Sequence, residues 1–384
     1  MTTEYDVLVV GGRVAGASTA MLLARAGVRV AVVERAPYGS DTVSTHGLMR
    51  AGVMQLSRWG LLDELTRAGT PPIRQTTFHY TDAESEQLDI RAGGGVDAFY
   101  APRRQVLDRV LADAAADAGA ELHYRTAVTA VLRDQTGRVT GVRVPDGELR
   151  AGITVGADGI RSTIASAVRA PVVQQGRSCS AVLYRYYALG RPTGYEWAYG
   201  AGGGAGLIPT NEGLTCVFVA TTPARLRELR RSGTDRAFAT LLAQTAPALT
   251  DRVLSAETVG PMHGWAGTPG FVRRSWGPGW ALVGDAGYYK DPITTHGITD
   301  ALRDAELLAG ELLETIPELA RYQTTRDRLS HRLFEATEAV ASYDWSLDEA
   351  RVLLRQVSSA MRDEVEYLGS LPALSTADPA HIVL

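Results

Sequence analysis

Four consecutive apolar residues, Val7-Leu8-Val9-Val10, lead into Gly11-Gly12-Arg13-Val14-Ala15-Gly16. A helical run from Ala17 to Ala26 then separates them from a second apolar run, Val28 to Val33. Short apolar runs bounded by glycine read as buried strands, and Gly27 stands where a helix end requires positive φ. Residues 6–34 are thus predicted to form a compact parallel βαβ unit.

The periodicity changes further along. Residues 103–118 suit an amphipathic helix with Leu107, Val110 and Leu111 inward. Short strands are expected at Leu122–Tyr124, Val128–Arg133 and Val139–Val144, with turns at Gln135-Thr136-Gly137 and Asp146-Gly147, so a small antiparallel insertion is predicted. From about 180 to 262 the chain is β-rich (Ala181–Leu189, Tyr195–Tyr199, Leu214–Ala220), around a glycine-rich stretch at Gly200–Gly206 and a helical segment near Thr222–Gln244. Another buried strand, Trp280 to Val283, ends in Gly284-Asp285, and helical patterns run from Ile298 to about Leu368. The expected fold class is α/β: a Rossmann-type domain with a parallel sheet, interrupted by a β-rich α+β substrate domain and followed by C-terminal helices. The segments assigned to the first domain are 1–75, 101–179 and 266–330; 76–100 and 180–265 go to the substrate domain, and 331–384 to a C-terminal helical segment.

Composition narrows the function classes. The 384 residues are 45% hydrophobic and 21% charged, ordinary values for a globular protein. A formal charge of -4 gives no basic field for a phosphate backbone, so no nucleic-acid partner is expected. Cys179 and Cys216 sit in no zinc-like spacing, so neither a metal nor a disulfide framework is predicted. No apolar run of about 18 residues offers a membrane span, and the N-terminus lacks the pattern of a secretory signal, so a cytoplasmic protein is expected.

Candidate chemistry sits at the strand ends. A dinucleotide pyrophosphate binds where a helix N-terminus leaves backbone N–H groups free and small residues allow approach. Gly11 permits the tight turn, Gly16 the close helix packing, and Glu34, about 20 residues on, can accept from a ribose hydroxyl. An acid there favours the unphosphorylated ribose of FAD or NAD. Arg13 stands where the fingerprint has its middle glycine, but the strand before and the helix after supply the confirming context. Asp158-Gly159 follows the strand Ile153-Thr154-Val155, and Gly284-Asp285 follows Trp280–Val283 in the same way. Asp285 can accept a ribityl hydroxyl, and a helix N-terminus at Gly297–Thr299 can stabilise negative charge on a reduced flavin.

These three motifs, in this order, resemble the aromatic-hydroxylase family of single-component flavoprotein monooxygenases (para-hydroxybenzoate hydroxylase-like flavoproteins), with geranylgeranyl reductase-like relatives; the resemblance covers nearly the whole chain. It implies FAD as resident cofactor and NADH or NADPH as transient reductant. It further implies O2-dependent oxygenation of a small organic, aromatic or polyketide-like substrate through a flavin C4a-hydroperoxide. The cofactor residues it implies are Gly11, Gly12, Arg13, Val14, Ala15, Gly16, Glu34 and Arg35, with Arg104 at a helix start, Asp158 and Gly159, Gly284 and Asp285, and Gly297 and Ile298. The family's proline-then-glycine turn beside the isoalloxazine appears as Pro292 to Gly297, with Thr294 where glycine is usual. Pro292 and His296 in that turn, and His46 in a loop expected over the FAD, are the catalytic candidates.

Other readings remain open on sequence. Relatives that reduce isoprenoid chains suggest a flavin-dependent C=C reductase or dehydrogenase, and relatives that escort prenylated proteins suggest a non-enzymatic binding protein. Lys290, the sole lysine, reads as a solvated loop residue or as a contact to flavin or nicotinamide. Tyr195, Trp197 and Tyr199 alternate on one strand face, as do Tyr184 and Tyr186 on another. Such ladders line a pocket for a planar substrate or simply build a sheet core.

Overall fold

The computed structural model describes residues 3–81, 84–190, 194–200, 202–372 and 374, so residue 201 of the glycine-rich stretch and the end of the C-terminal segment lie outside the described residues. Eight strands form the first sheet. Its main path runs β16 (Trp276–Gly277), β17 (Trp280–Leu282), β8 (Gly147–Gly156), β1 (Thr3–Val10), β2 (Val30–Glu34), β5 (Glu121–Tyr124), and β6 (Ala130–Arg133) reaches β8 through β7 (Val139–Val144). β17, β8, β1, β2 and β5 are parallel, with Val7 opposite Val30 and Ile153. The Leu122–Tyr124 strand is therefore a correction: β5 extends the parallel sheet beside β2, while β6, β7 and β8 pair antiparallel, as do β16 and β17 at the other edge. Its four residues carry too little alternation to reveal which edge they join.

The βαβ crossover packs α1 (Val14–Arg25) on the sheet, where it also meets α4 (Arg104–Asp117) and α9 (Gly297–Leu312). Nearly every α1 residue is buried, which its Ala-Gly-Ala-Ser-Thr-Ala sequence allows by keeping side chains short. Gly27 takes φ +91°, as its place after the helix requires.

The second sheet has the order β14 (Glu257–Trp265), β10 (Ala181–Ala188), β13 (Thr215–Thr221), β12 (Gly203–Pro209), β11 (Tyr195–Gly200), β3 (Gln75–His79), β4 (Ser85–Asp89). One face carries Leu183, Leu207, Val217 and Val219 against Phe238 and Leu241 of α7 (Thr234–Thr245) and Leu249 of α8 (Pro247–Leu254). The other carries Tyr184, Tyr186, Tyr195, Trp197 and Phe218 towards Ile293, Leu333 and Val357. Leu333 lies on α10 (Leu319–Ala341) and Val357 on α11 (Leu347–Ser370); α10 runs unbroken through residue 331. A small third sheet joins β18 (Tyr288–Tyr289), β15 (Phe271–Arg273) and β9 (Val172–Gln175).

Candidate active site

The three motifs meet at the C-terminal ends of adjacent parallel strands, the position where open α/β sheets bind ligands. Gly11 ends β1 with φ +103°, and a Cβ there would lie 2.4 Å from the Ala157 carbonyl oxygen at the end of β8. At Gly16 a Cβ would lie 1.7 Å from the Gly11 carbonyl oxygen, so only glycine lets α1 sit this close to its strand. Gly284, at the end of β17, packs on the first turn of α1, 2.9 Å from the Ala15 Cβ by the same measure.

Glu34 is buried and already organises the turn: Gly12 N donates to its Oε2 at 2.7 Å and Ala36 N to its Oε1 at 2.8 Å. Arg35 is exposed beyond it. Arg13 caps α1 without a side-chain acceptor for the first-turn N–H groups, which leaves the N–H groups around Val14 and Ala15 available. Its guanidinium donates instead to Asp108 Oδ2 at 3.1 Å, Ser40 Oγ at 3.2 Å and the Asp41 carbonyl at 3.3 Å. Arg104 holds the same Asp108 carboxylate, through Nε at 3.1 Å and Nη2 at 3.2 Å. Asp108 is thus a buried anchor for both arginines that the sequence reading missed, although its spacing of four from Arg104 was a visible signal.

Asp158 sits at the N-terminus of α5 (Thr163–Ala167), whose N-cap is Ser162, and accepts from Ser162 Oγ at 2.5 Å and Thr163 N at 2.6 Å. Burial raises its pKa against the pull of those bonds, and Gly159 follows with φ +78°. Asp285 differs, since among the described residues its carboxylate takes no hydrogen bond, and burial pushes its pKa up to about 6 against the attraction of Lys290 and Arg104.

The turn from Pro292 to Gly297 is built from buried polar contacts. Asp291 anchors it, accepting from Ser180 N at 2.5 Å, Ser180 Oγ at 2.7 Å and Ile293 N at 2.9 Å. Thr294 turns its hydroxyl to Thr337 on α10 at 3.1 Å. Thr295 sits at φ +53°, a conformation that strains a β-branched residue, and Gly47 packs on it so closely that a Cβ would lie 2.2 Å from Thr295 Cγ2. His296 is buried, with Nε2 2.6 Å from Glu364 Oε2; burial lowers its pKa and Glu364 opposes the shift. Gly297 and Ile298 open α9, whose first residue is exposed.

Lys290 is not a solvated loop residue. It is 5% exposed and paired with Asp300, while Arg303 bridges Asp300 at 2.7 Å, Asp304 at 2.7 Å and Glu364 at 2.9 Å. Burial pushes the lysine pKa down to about 7. Side-chain atoms of His296, Asp300 and Glu364 converge within 4.8 Å, but Lys290 and Arg303 already occupy the carboxylates a cation would need. Glu364 and Asp300 lie in helices whose sequence gave no sign of a shared buried network.

Of the aromatic residues, Tyr195 donates to the Tyr100 carbonyl at 2.7 Å and Trp197 Nε1 to Thr76 Oγ1 at 2.9 Å, while Tyr199 is buried without such a bond. His46 is wholly buried at φ +68°, and its Nε2 lies 2.5 Å from the Tyr186 hydroxyl. Burial, then Arg104, lowers its pKa to about 3. The turn at 292–297, the loop at 44–49 and the aromatic face of the second sheet therefore enclose one region.

Comparison with known proteins shows the family and the fold. A family model described as FAD binding domain matches residues 4–337. The chain is 29% identical over 353 residues to digeranylgeranylglycerophospholipid reductase 2 of Methanopyrus kandleri, covering 83% of this chain and 81% of that protein. It is 29% identical over 336 residues to menaquinone reductase of Mycolicibacterium smegmatis, covering 80% and 76%. A probable FAD-dependent monooxygenase of Pseudomonas aeruginosa shares the fold, with a TM-score of 0.75, 24% identity, and coverage of 94% and 100%.

Proposed function

This chain belongs to the FAD binding domain family and is an FAD-dependent oxidoreductase; from that premise we propose that it is an NAD(P)H- and O2-dependent monooxygenase acting on a small planar organic substrate. The observation that carries the residue assignments is Asp285: a half-buried carboxylate that takes no hydrogen bond among the described residues, beside two other strand-end motifs, suits a hydroxyl donor that arrives with the cofactor.

The residues present fit FAD. The α1 N-terminus and the Gly11–Gly16 turn receive the pyrophosphate, with Arg13 and Arg104 contributing positive charge at its rim. Glu34 has a lone pair left on each oxygen for the adenosine ribose, with Arg35 flanking it, and Asp285 accepts from the ribityl chain. Asp158 and Gly159 shape the adjoining rim. The α9 N-terminus at Gly297 and Ile298 would hold negative charge on a reduced flavin, which its dipole favours. When bound, the flavin takes two electrons from the nicotinamide and activates O2 for transfer to the substrate. The chain's own task is to orient that substrate and exclude water, which the Pro292–His296 turn, His46 and the Tyr195-Trp197-Tyr199 face do from three sides.

Purified protein is expected to be yellow, to release stoichiometric FAD on denaturation, and to consume NAD(P)H and O2 together when substrate is present. Colourless protein that takes up no added FAD would overturn the residue assignments. The similarity to two reductases favours one second reading, a C=C reductase. Labelled O2 separates the two, since a monooxygenase product carries the label, whereas a reductase re-oxidises its flavin with an alkene in the absence of O2.

A further inference from the structure

His296 caps the N-terminus of α9 and is almost wholly buried. Its Nε2 lies 2.6 Å from Glu364 Oε2, and its Nδ1 is buried with no partner among the described residues. Arg303 Nη1, 2.9 Å from the other Glu364 oxygen, keeps that carboxylate ionised, so Nε2–H donates to it. Nδ1 is then left with an unused lone pair, which costs less than an orphaned buried N–H. The imidazole of the free protein is therefore neutral. Burial acts in the same direction, and a cation at the positive end of a helix dipole is disfavoured as well.

The charges around the ring favour the opposite form. Two cations, Lys290 and Arg303, share a buried network with three carboxylates, Asp300, Asp304 and Glu364. Asp300 and Glu364 each bring an oxygen within 4.8 Å of a ring nitrogen of His296. Lys290 and Asp300 are in direct contact and hold one proton between them. Of the other titratable groups packed here, Arg326 on α10 is matched by Asp327 at 2.5 Å, burial keeps the Tyr288 phenol on β18 neutral, and burial raises the pKa of Asp285. The network is one positive charge short, and a proton on Nδ1 would supply it. What that proton lacks is an acceptor or a nearby negative charge.

The proposed function places the flavin at the 292–297 turn, where reduction leaves it with one negative charge. We propose that His296 is a proton acceptor coupled to flavin reduction, loading Nδ1 with one proton from solvent as the flavin gains its hydride. NAD(P)H gives up a hydride, carrying two electrons and one proton, and leaves as NAD(P)+; the second proton comes from water to the imidazole, so the charge gained by the flavin is balanced on the protein. Glu364 is a positioning residue that holds the imidazolium through Nε2. The coupling rests on the proposed function, whereas the open nitrogen and the unbalanced network rest on the contacts above.

The test measures the midpoint potential of the bound flavin against pH, by equilibration with reference dyes from about pH 7 upwards, where an unloaded imidazole is neutral. Each proton taken up by a two-electron couple changes its equilibrium constant tenfold per pH unit, about 30 mV. Wild type is expected to take up two protons, a slope of about 60 mV per pH unit. H296Q keeps a donor for Glu364 but cannot be charged, and E364Q removes the charge that holds an imidazolium; each is expected to fall to about 30 mV. Imidazole 15N signals should show His296 neutral in the oxidised protein and doubly protonated in the reduced one. A wild-type slope of about 30 mV overturns the proposal without any variant having to fold. Variants that retain about 60 mV also overturn it, by placing the second proton on the flavin itself or on Lys290. Protein that takes up no FAD overturns the cofactor reading and this proposal together, whereas FAD-loaded wild type with the smaller slope overturns the proposal alone.

Discussion

Replacing Asp285 by Asn should make the apoprotein more stable and the holoprotein weaker. The carboxylate is pushed from its ordinary 3.8 to about 6 by burial, so the folded chain keeps this proton at pH values where the unfolded chain has released it. Stability is therefore lost as pH rises from about 4 to about 6, and the deficit persists above that window. Two pH units correspond to about 3 kcal/mol. Solvent still reaches the side chain, which reduces the figure to about 1–2 kcal/mol. Asp285→Asn has no charge to desolvate, so urea denaturation of the apoprotein should give it that advantage at pH 8 and roughly half of it at pH 5. The same change replaces the charged acceptor for the cofactor hydroxyl by a neutral amide oxygen and should weaken FAD binding by about 1 kcal/mol, roughly 5-fold by flavin fluorescence. A variant no more stable than wild type at pH 8 would show that the carboxylate is not held at a cost, and unchanged FAD affinity would remove Asp285 from the cofactor site.

Arg13→Glu should weaken FAD far more than Arg13→Gly, because it sets a second carboxylate against Asp108 as well as the phosphates; equal dissociation constants would mean the arginine contributes no charge to the site. Lys290→Met should destabilise the fold by about 3–5 kcal/mol by leaving Asp300 short of a buried partner, and Lys290→Met with Asp300→Asn should recover more than half of that in urea denaturation. A double variant as unstable as the single one would refute the pairing. Glu34→Ala strands the Gly12 and Ala36 N–H groups and should cost about 1–3 kcal/mol of apoprotein stability, whereas an effect seen only in the presence of FAD would mean these two bonds contribute nothing to the turn.

How far the site was legible depends on whether its signals were local. Gly11, Gly16 and Glu34 lie within one βαβ unit, so spacing alone places them together, and the apolar runs at Val7–Val10 and Val30–Val33 fix the register that does so. Gly284-Asp285 was readable as a strand end, but its approach to Ala15 depends on β17 lying beside β8, which no pattern within 280–285 records. The β5 strand was misplaced for the same reason. Of the two readings open for Lys290, the solvated one fails on its burial, which a lone lysine in a loop does not announce. Its true partners, Asp300 and through Arg303 Glu364, come from α9 and α11, and buried charges are recognisable only once all partners are known.

The C-terminal helices bear on the candidate site because they brace its 292–297 turn. Thr337 on α10 holds the Thr294 hydroxyl, Glu364 on α11 holds His296, and Tyr343, between the two helices, donates to Ser180 Oγ at 2.8 Å, which in turn secures Asp291. These contacts bear on a segment that includes a strained αL threonine, and strain of this kind persists only when the surroundings over-determine it. Sites of this sort require placement to about half an ångström, which a surface loop alone does not provide. The Glu364–His296 bond crosses 68 residues of sequence to fix the N-terminus of α9. That helix end is where the proposed function puts the cofactor's negative charge, so on that reading a change as distant in sequence as residue 364 acts on the position of the dipole and not merely on global stability.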